Sequence, residues 1–218
     1  MSEEQEDIKE YGNCFSDGIE IISIIGEIEG HQNLNHDSKT TKYEHMLPLL
    51  ASIERDEKIR GILFLVNTVG GDVSCGLALA ELISGITKPT VSLVLGDSHS
   101  IGLPVAVAAD YSFIVPTATV VIHPVRMSGT ILGTNQTYKQ FKSIQDRIIG
   151  FVASHSHCPE NELENMMMET SMMAKDLGTI LVGSEAVDAG IINECGNIHQ
   201  AFSKLYEMLG ENQGVVKS

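Results

Sequence analysis

The sequence contains no tryptophan, only five tyrosines and six phenylalanines, so its aromatic content is low at 5%. Basic charge is equally scarce: 14 lysines and arginines stand against 29 aspartates and glutamates, for a net charge of −15. A chain without clustered lysine and arginine has no electrostatic grip on a phosphate backbone, which argues against nucleic acid as a partner. The same deficit argues against adhesion to an anionic lipid surface. The four cysteines, Cys14, Cys75, Cys158 and Cys195, include no C-x-x-C pair. Their scatter suggests neither a disulfide framework nor a zinc site, and it fits a reducing compartment. No apolar run approaches the ~20 residues that a membrane span requires. The acidic opening "MSEEQEDIKEYGN" lacks the apolar centre of a secretory signal. These absences lead us to expect a cytoplasmic chain with no integral membrane segment.

What is present is a 218-residue chain with 43% hydrophobic content, enough for one substantial core. Mean hydropathy is +0.06, an ordinary value for a soluble protein. Residues 1–17 read as a disordered acidic tail and 210–218 as a flexible end, leaving a single domain over 18–209.

Within it, "IEIISIIGEI" (19–28), "RGILFLVNT" (60–68) and "KPTVSLVL" (88–95) are short, β-branched and continuously apolar, as buried strands are. Helical spacing marks 39–59, with Pro48 in or near its first turns, and 72–86, with Asp72 as a cap. A short apolar helix follows over 101–109, then two short strands within 111–124. Residues 133–156 form a long helix and 158–176 another, opened by a proline and an acidic turn. A short helix, a glycine stop and a last strand close the pattern over 183–192. Alternating helices with continuously apolar strands predicts an α/β fold with a mostly parallel sheet.

Ligands of such sheets meet the carboxyl ends of the strands. Three polar turns fall there: "NTVGGD", "GDSHSIG" and "HPVRMSG". Ser100 opens the helix over 101–109, where free N–H groups favour developing negative charge, and the Ile101 N–H is a natural donor. Gly70 and Gly71 make a second turn that can come close to a substrate because glycine lacks Cβ. Two N–H groups facing one point form an oxyanion hole, commonly worth ~3–4 kcal/mol per donor. His123 leaves its strand just before Pro124, within reach of Ser100 as a general base. The alternative is structural, with Ser100 capping a helix and His123 ending a strand.

Several neighbours invite other readings. His99 either lines the groove or is simply exposed, and Ser98 reads as a turn residue. "HSHC" (155–158) mimics a metal cluster but has no distant partner spacing, so no metal and no other cofactor is expected. Met166, Met167, Met168, Met172 and Met173 suit adaptable packing, or a soft surface for unfolded peptide.

The segments "NTVGGDV" (67–73), "GDSHSIG" (96–102) and "VVIHPV" (120–125) resemble the glycine-pair, nucleophile and histidine motifs of the ClpP serine-peptidase family, and "SEAVDAGII" (184–192) resembles its closing segment. "IGEIEGH" (25–31), "KTTKYEH" (39–45), "IHPVR" and "AKDLGT" (174–179) resemble the family's translocation-enhancing subgroup. The likeness runs in order over about 19–208. It implies the ClpP/crotonase-type spiral of β-β-α units with the long helix protruding. It also implies Ser100 as nucleophile, His123 as base, and the Gly71 and Ile101 N–H groups as oxyanion hole, with Gly70, His99, Pro124 and Val125 along the groove. The expected substrate is an unfolded or signal-type peptide, the expected assembly homo-oligomeric rings, and an ATP-dependent unfoldase a possible partner.

The third catalytic position departs from the family pattern. Counted back from Glu185-Ala186-Val187, the position of the family's aspartate is Gly178. Asp176 is the nearest carboxylate and the expected orienting acid, with Lys175 leaving a Ser–Lys arrangement open and Asp188 and Glu169 expected to face solvent. Two other classes stay open at this level. One is an acyl-CoA enzyme of the crotonase type, for which the chain offers no basic and aromatic nucleotide site. The other is a non-catalytic assembly or export factor that keeps the fold.

Overall fold

In the computed structural model of this chain, the residues described are 12–31, 34–35, 37–126, 133–170 and 178–211. In chain order their elements are β1 (Asn13–Ser16), β2 (Ile19–Glu29), β3 (Thr40–Lys42), α1 (Tyr43–Arg55), β4 (Gly61–Gly71), α2 (Val73–Ser84), β5 (Thr90–His99) and α3 (Gly102–Val107). There follow β6 (Tyr111–Ile114), β7 (Thr119–Ile122), α4 (Thr134–Ser154), α5 (Glu160–Met167), β8 (Thr179–Val182), α6 (Ser184–Asp188), β9 (Glu194–Cys195) and α7 (Ile198–Met208).

The apolar runs become the centre of the sheet because both faces of these strands are covered. The order is β1-β2-β4-β5-β6-β9, and β2, β4, β5, β6 and β9 pair in parallel. Ile22, Ile24, Ile62, Phe64, Val66 and Val94 turn to one face and share a core with Leu50 and Ile53 of α1, Leu79 and Ile83 of α2, and Leu103 and Val107 of α3. Ile19, Leu63, Val91, Leu93 and Phe113 turn to the other and meet Ala201 and Leu205 of α7. Among the described residues antiparallel pairing is confined to β1 on β2 and β8 on β7. The expected α/β fold with a mostly parallel sheet is therefore present. The long helix also protrudes: of the 21 residues in α4, only Ile149, Phe151 and Val152 are buried, all near its end.

Several boundaries differ from the sequence reading. The stretch expected as tail to residue 17 contributes β1, whose four residues pair with β2. Residues 40–42 pair with the end of β2 instead of starting the helix, and Pro48 then lies inside α1. The helix expected over 158–176 ends at Met167. Most consequentially, β5 does not stop at residue 95. Its first half pairs with β6 and its second half, Asp97–His99, pairs with β7. Ser98 is thus a fully buried strand residue rather than part of a turn. Among the described residues no helix is long and apolar enough to cross a membrane.

Candidate active site

Ser100 sits where β5 breaks into α3, and its φ is +55°, a left-handed conformation that non-glycine residues rarely adopt. The turn is pinned from both sides. The Ser100 N–H donates to the Val121 carbonyl at 2.9 Å, and the Leu103 N–H donates to the Ser100 carbonyl at 3.1 Å. A serine on a sharp strand-to-helix turn presents its hydroxyl at the edge of the sheet, as nucleophile elbows do.

The glycine pair lies directly beside it. Gly70 has φ +92°, and a Cβ there would stand 2.7 Å from the His99 carbonyl oxygen and 3.4 Å from the Ile101 nitrogen. Only glycine lets β4 approach the serine turn so closely. Thr68 fixes this segment, since its hydroxyl donates to the Gly26 carbonyl at 2.6 Å and accepts from the Gly70 N–H at 3.1 Å. Asp72 then caps α2, accepting from the Cys75 N–H at 2.9 Å. Cys75 is buried beside this turn, but burial, reinforced by Asp72, pushes its thiol up to about 11, which keeps it protonated and inert at neutral pH.

Ser100 and His123 meet as walls of one cavity of about 160 Å³. Gly71, Val125 and Arg126 also line it, while Leu103, Ile149, Val152, Leu163 and Met167 make an apolar interior. α4 and α5 roof the strand ends and thereby close it. No hydrogen bond joins Ser100 to His123 in this arrangement; such bonds often tighten only around a substrate. The His123 ring instead makes its contact through Nδ1, which lies 2.7 Å from the Pro124 carbonyl oxygen. A carbonyl oxygen only accepts, so Nδ1 carries the proton and Nε2 is the basic nitrogen of the neutral ring.

His99, one residue from the serine, does not line that cavity. Its Nε2 lies 2.7 Å from Thr119 Oγ1 and 3.3 Å from Asp97 Oδ1, and the Thr119 hydroxyl donates to Asp97 at 3.0 Å. With the single threonine hydrogen committed to Asp97, His99 donates through Nε2. Burial holds the His99 imidazole below the ordinary histidine value; Asp97 pulls it up and the charge of His123 pushes it down. The two imidazoles therefore sense each other across β7.

The remaining sequence candidates fall in three places. Asp176, with Lys175, lies outside the described residues, as do Met172 and Met173. The Glu169 carboxylate accepts from the Thr170 N–H at 2.8 Å. "HSHC" is structural: His155 stacks on Phe151 with ring centroids 4.1 Å apart, the His157 N–H donates to the Gly190 carbonyl, and Cys158 is buried. Of the methionines, Met167 lines the cavity and Met168 is exposed. Sequence reasoning missed the apolar interior, because its residues come from α3, α4 and α5 and share no local motif.

Known proteins resemble this sequence over most of its length. The sequence profile of the Clp protease family matches residues 20–199. The chain belongs to the Clp protease family. It is 47% identical to the translocation-enhancing protein TepA of Halalkalibacterium halodurans over 195 residues, which are 89% of this chain and 76% of that protein. It is 31% identical over 153 residues to an ATP-dependent Clp protease proteolytic subunit of Streptococcus pneumoniae, covering 69% of this chain and 67% of the subunit. The corresponding subunit of Leuconostoc citreum is 26% identical over 157 residues. A ClpP-like, peptidase-type function follows from this membership, and the identity to TepA exceeds that to either proteolytic subunit.

Proposed function

We propose that this protein is a serine endopeptidase that cleaves extended peptide segments at Ser100. The observation that carries the reading is the shared cavity: a serine hydroxyl on a left-handed turn and a histidine with its Nε2 unprotonated face one apolar pocket. Ser100 Oγ attacks the scissile carbonyl carbon while His123 Nε2 accepts its proton. The carbonyl oxygen, now an oxyanion, is held by the N–H groups of Gly71 and Ile101. Collapse of the intermediate breaks the C–N bond, and His123 returns the proton to the departing amine. Water, deprotonated by the same Nε2, then hydrolyses the acyl-enzyme. Asp176 is the proposed orienting acid for His123.

The apolar interior of the cavity fits an aliphatic side chain on the acyl side of the cleaved bond. Family membership supports assembly of this chain into homo-oligomeric rings, and the names of the two Clp relatives support supply of unfolded substrate by an ATP-dependent unfoldase. Four free cysteines support action in the cytoplasm.

The relative named for translocation, together with a glycine where the family carries its acid, supports a second reading as a non-catalytic export factor. Labelling with a fluorophosphonate probe separates the two. Modification of Ser100, located by peptide mass spectrometry and abolished in Ser100→Ala, supports the peptidase. Folded wild-type protein that takes no label overturns it in favour of the export factor.

A further inference from the structure

The glycine pair, the serine and the histidine of the site stand at the ends of three neighbouring strands, β4, β5 and β7. A displacement of about 1 Å between reacting groups can cost about a hundredfold in rate, so the register of these strands matters as much as the side chains they carry. We infer that Asn67, Asp97, Thr119 and His99 form a positioning device that ties the three strands together and sets Ser100 against Gly71 and His123. The inference rests on the reading of Ser100 as nucleophile and His123 as base.

The first ground is a break in the sheet. Val66 pairs with Val94 and Thr68 with Ser98, so Asn67 alone stands opposite Leu95, Gly96 and Asp97. At this bulge β5 leaves β6, its partner up to Val94, and takes β7, its partner from Asp97. Bulges re-aim the strand that carries them and are common beside active sites. Beyond the break, among the described residues, three residue pairs join β5 to β7 and one joins it to β4. The turn at Ser100 is therefore delivered to the site by a short, irregular stretch of ladder.

The second ground is what fills the break. The Asp97 N–H donates to the side-chain oxygen of Asn67 at 2.9 Å, a bond from β5 to β4 at the point where the ladder between them is interrupted. Gly96 makes room for it, since a Cβ there would stand 2.5 Å from that same oxygen.

The third ground is the tie to β7. Asp97 stands opposite Thr119, with His99 two residues on along the same face of β5. The Thr119 hydroxyl donates to Asp97 Oδ1 at 3.0 Å and accepts from His99 Nε2 at 2.7 Å. Asp97 is thus bonded through its main chain to β4 and through its side chain to β7. Asn67 lies four residues before Gly71, His99 one before Ser100, and Thr119 four before His123, all outside the cavity walls. These four side chains set the spacing of the reacting groups from behind, as supporting residues of a preorganised site do.

The test measures fluorophosphonate labelling of Ser100 in the assembled protein, at a temperature where every variant is folded. Thr119→Val removes the hydroxyl and keeps the shape, Asn67→Leu removes the acceptor, and Thr119→Ser keeps the hydroxyl. Thr119→Val and Asn67→Leu are each expected to slow labelling about fivefold or more, whereas Thr119→Ser retains most of the wild-type rate. Because both losses act on one bulge, the double variant is expected to lose clearly less than the product of the single losses. A smaller loss in either single variant overturns the inference, even where the thermal midpoint falls, because a merely structural bond would lower the midpoint alone. Thr119→Ser as slow as Thr119→Val, or a double variant that loses the full product, overturns it as well. The His123 ring reports on the tie without turnover. With its Cε1–H resonance identified by loss in His123→Gln, that signal is expected to shift in Asn67→Leu and Thr119→Val alike and to stay in place in Thr119→Ser. If wild-type protein takes no label, the peptidase reading falls and this resonance decides the tie: an unmoved signal in Asn67→Leu overturns it.

Discussion

The main chain of Gly70 runs so close to Ser100 that a Cβ on Gly70 would stand 3.0 Å from the Ser100 Cβ. Strand β4 and the serine turn are thus in contact without an intervening side chain.

Gly70→Ala should therefore harm both stability and reactivity. The new methyl meets the His99 carbonyl at 2.7 Å, and φ +92° is strained for any residue but glycine. A destabilisation of about 1–3 kcal/mol is expected, together with at least a tenfold slower labelling of Ser100. Urea denaturation and the labelling rate measure the two effects. A variant as stable and as reactive as wild type would show that the two backbones are not in register as described.

Ser98 lies two residues before Ser100, fully buried, and its hydroxyl has no hydrogen-bond partner among the described residues. Leaving a buried hydroxyl unpaired costs about 1–3 kcal/mol. Ser98→Ala removes that group while keeping the backbone, so the thermal midpoint should rise by about 2–4 °C, the shift that ~1 kcal/mol gives a chain of this size. A lowered midpoint would mean that the hydroxyl has a partner after all.

The His99 imidazole is held below its ordinary value by burial, which fixes the sign of its pH effect. Above about pH 6.5, where the unfolded side chain titrates, both states are neutral and the contribution to stability is complete. As pH falls the unfolded chain takes up the proton first, and stability is lost until the folded-state value is passed. His99→Gln retains a donor for Thr119 and cannot titrate, so its stability should decline less than wild type over that window. Denaturant midpoints at pH about 8 and about 5.5 test this, and equal declines in the two proteins would refute it.

Val125 lines the cavity at its half-buried rim. Val125→Phe should narrow the pocket with little effect on folding. The preference for leucine over alanine on the acyl side of the cleaved bond should fall by about tenfold, the size of effect that a methylene or two has in an apolar pocket. Peptide substrates that differ only at this position give the ratio; an unchanged ratio would move the specificity pocket elsewhere.

Much of the fold is legible in the sequence because the central strands are buried on both faces. "GILFLV" in β4 has nowhere to go but the middle of a sheet. Asp72 announces the start of α2 through a purely local bond to Cys75 N–H. The parts that were not legible depend on partners distant in the chain. "NCFS" has too little apolar character to announce a strand, and becomes β1 only because β2 offers it a ladder. "GDSH" reads as a turn from its residue types, yet continues β5 because Thr119–Val121, some twenty residues on, pair with it. That one long-range pairing buries Ser98 and turns His99 toward Thr119 and away from the cavity.

By itself the sequence determined the parallel α/β framework and, through its family motifs, singled out Ser100 and His123 as the side chains proposed to carry the chemistry. Buried strands and a polar residue at a strand end are written in residue types and local spacing. Only the tertiary structure decided what surrounds those two side chains: pocket walls drawn from α2, α3, α4 and α5, and the Pro124 carbonyl oxygen 2.7 Å from His123 Nδ1. Which hydrogen-bond acceptor a ring nitrogen meets depends on a side-chain torsion and on how closely distant backbones converge; a Cβ on Gly178 would stand 3.0 Å from His123 Cβ, and no spacing of letters along a chain encodes that approach.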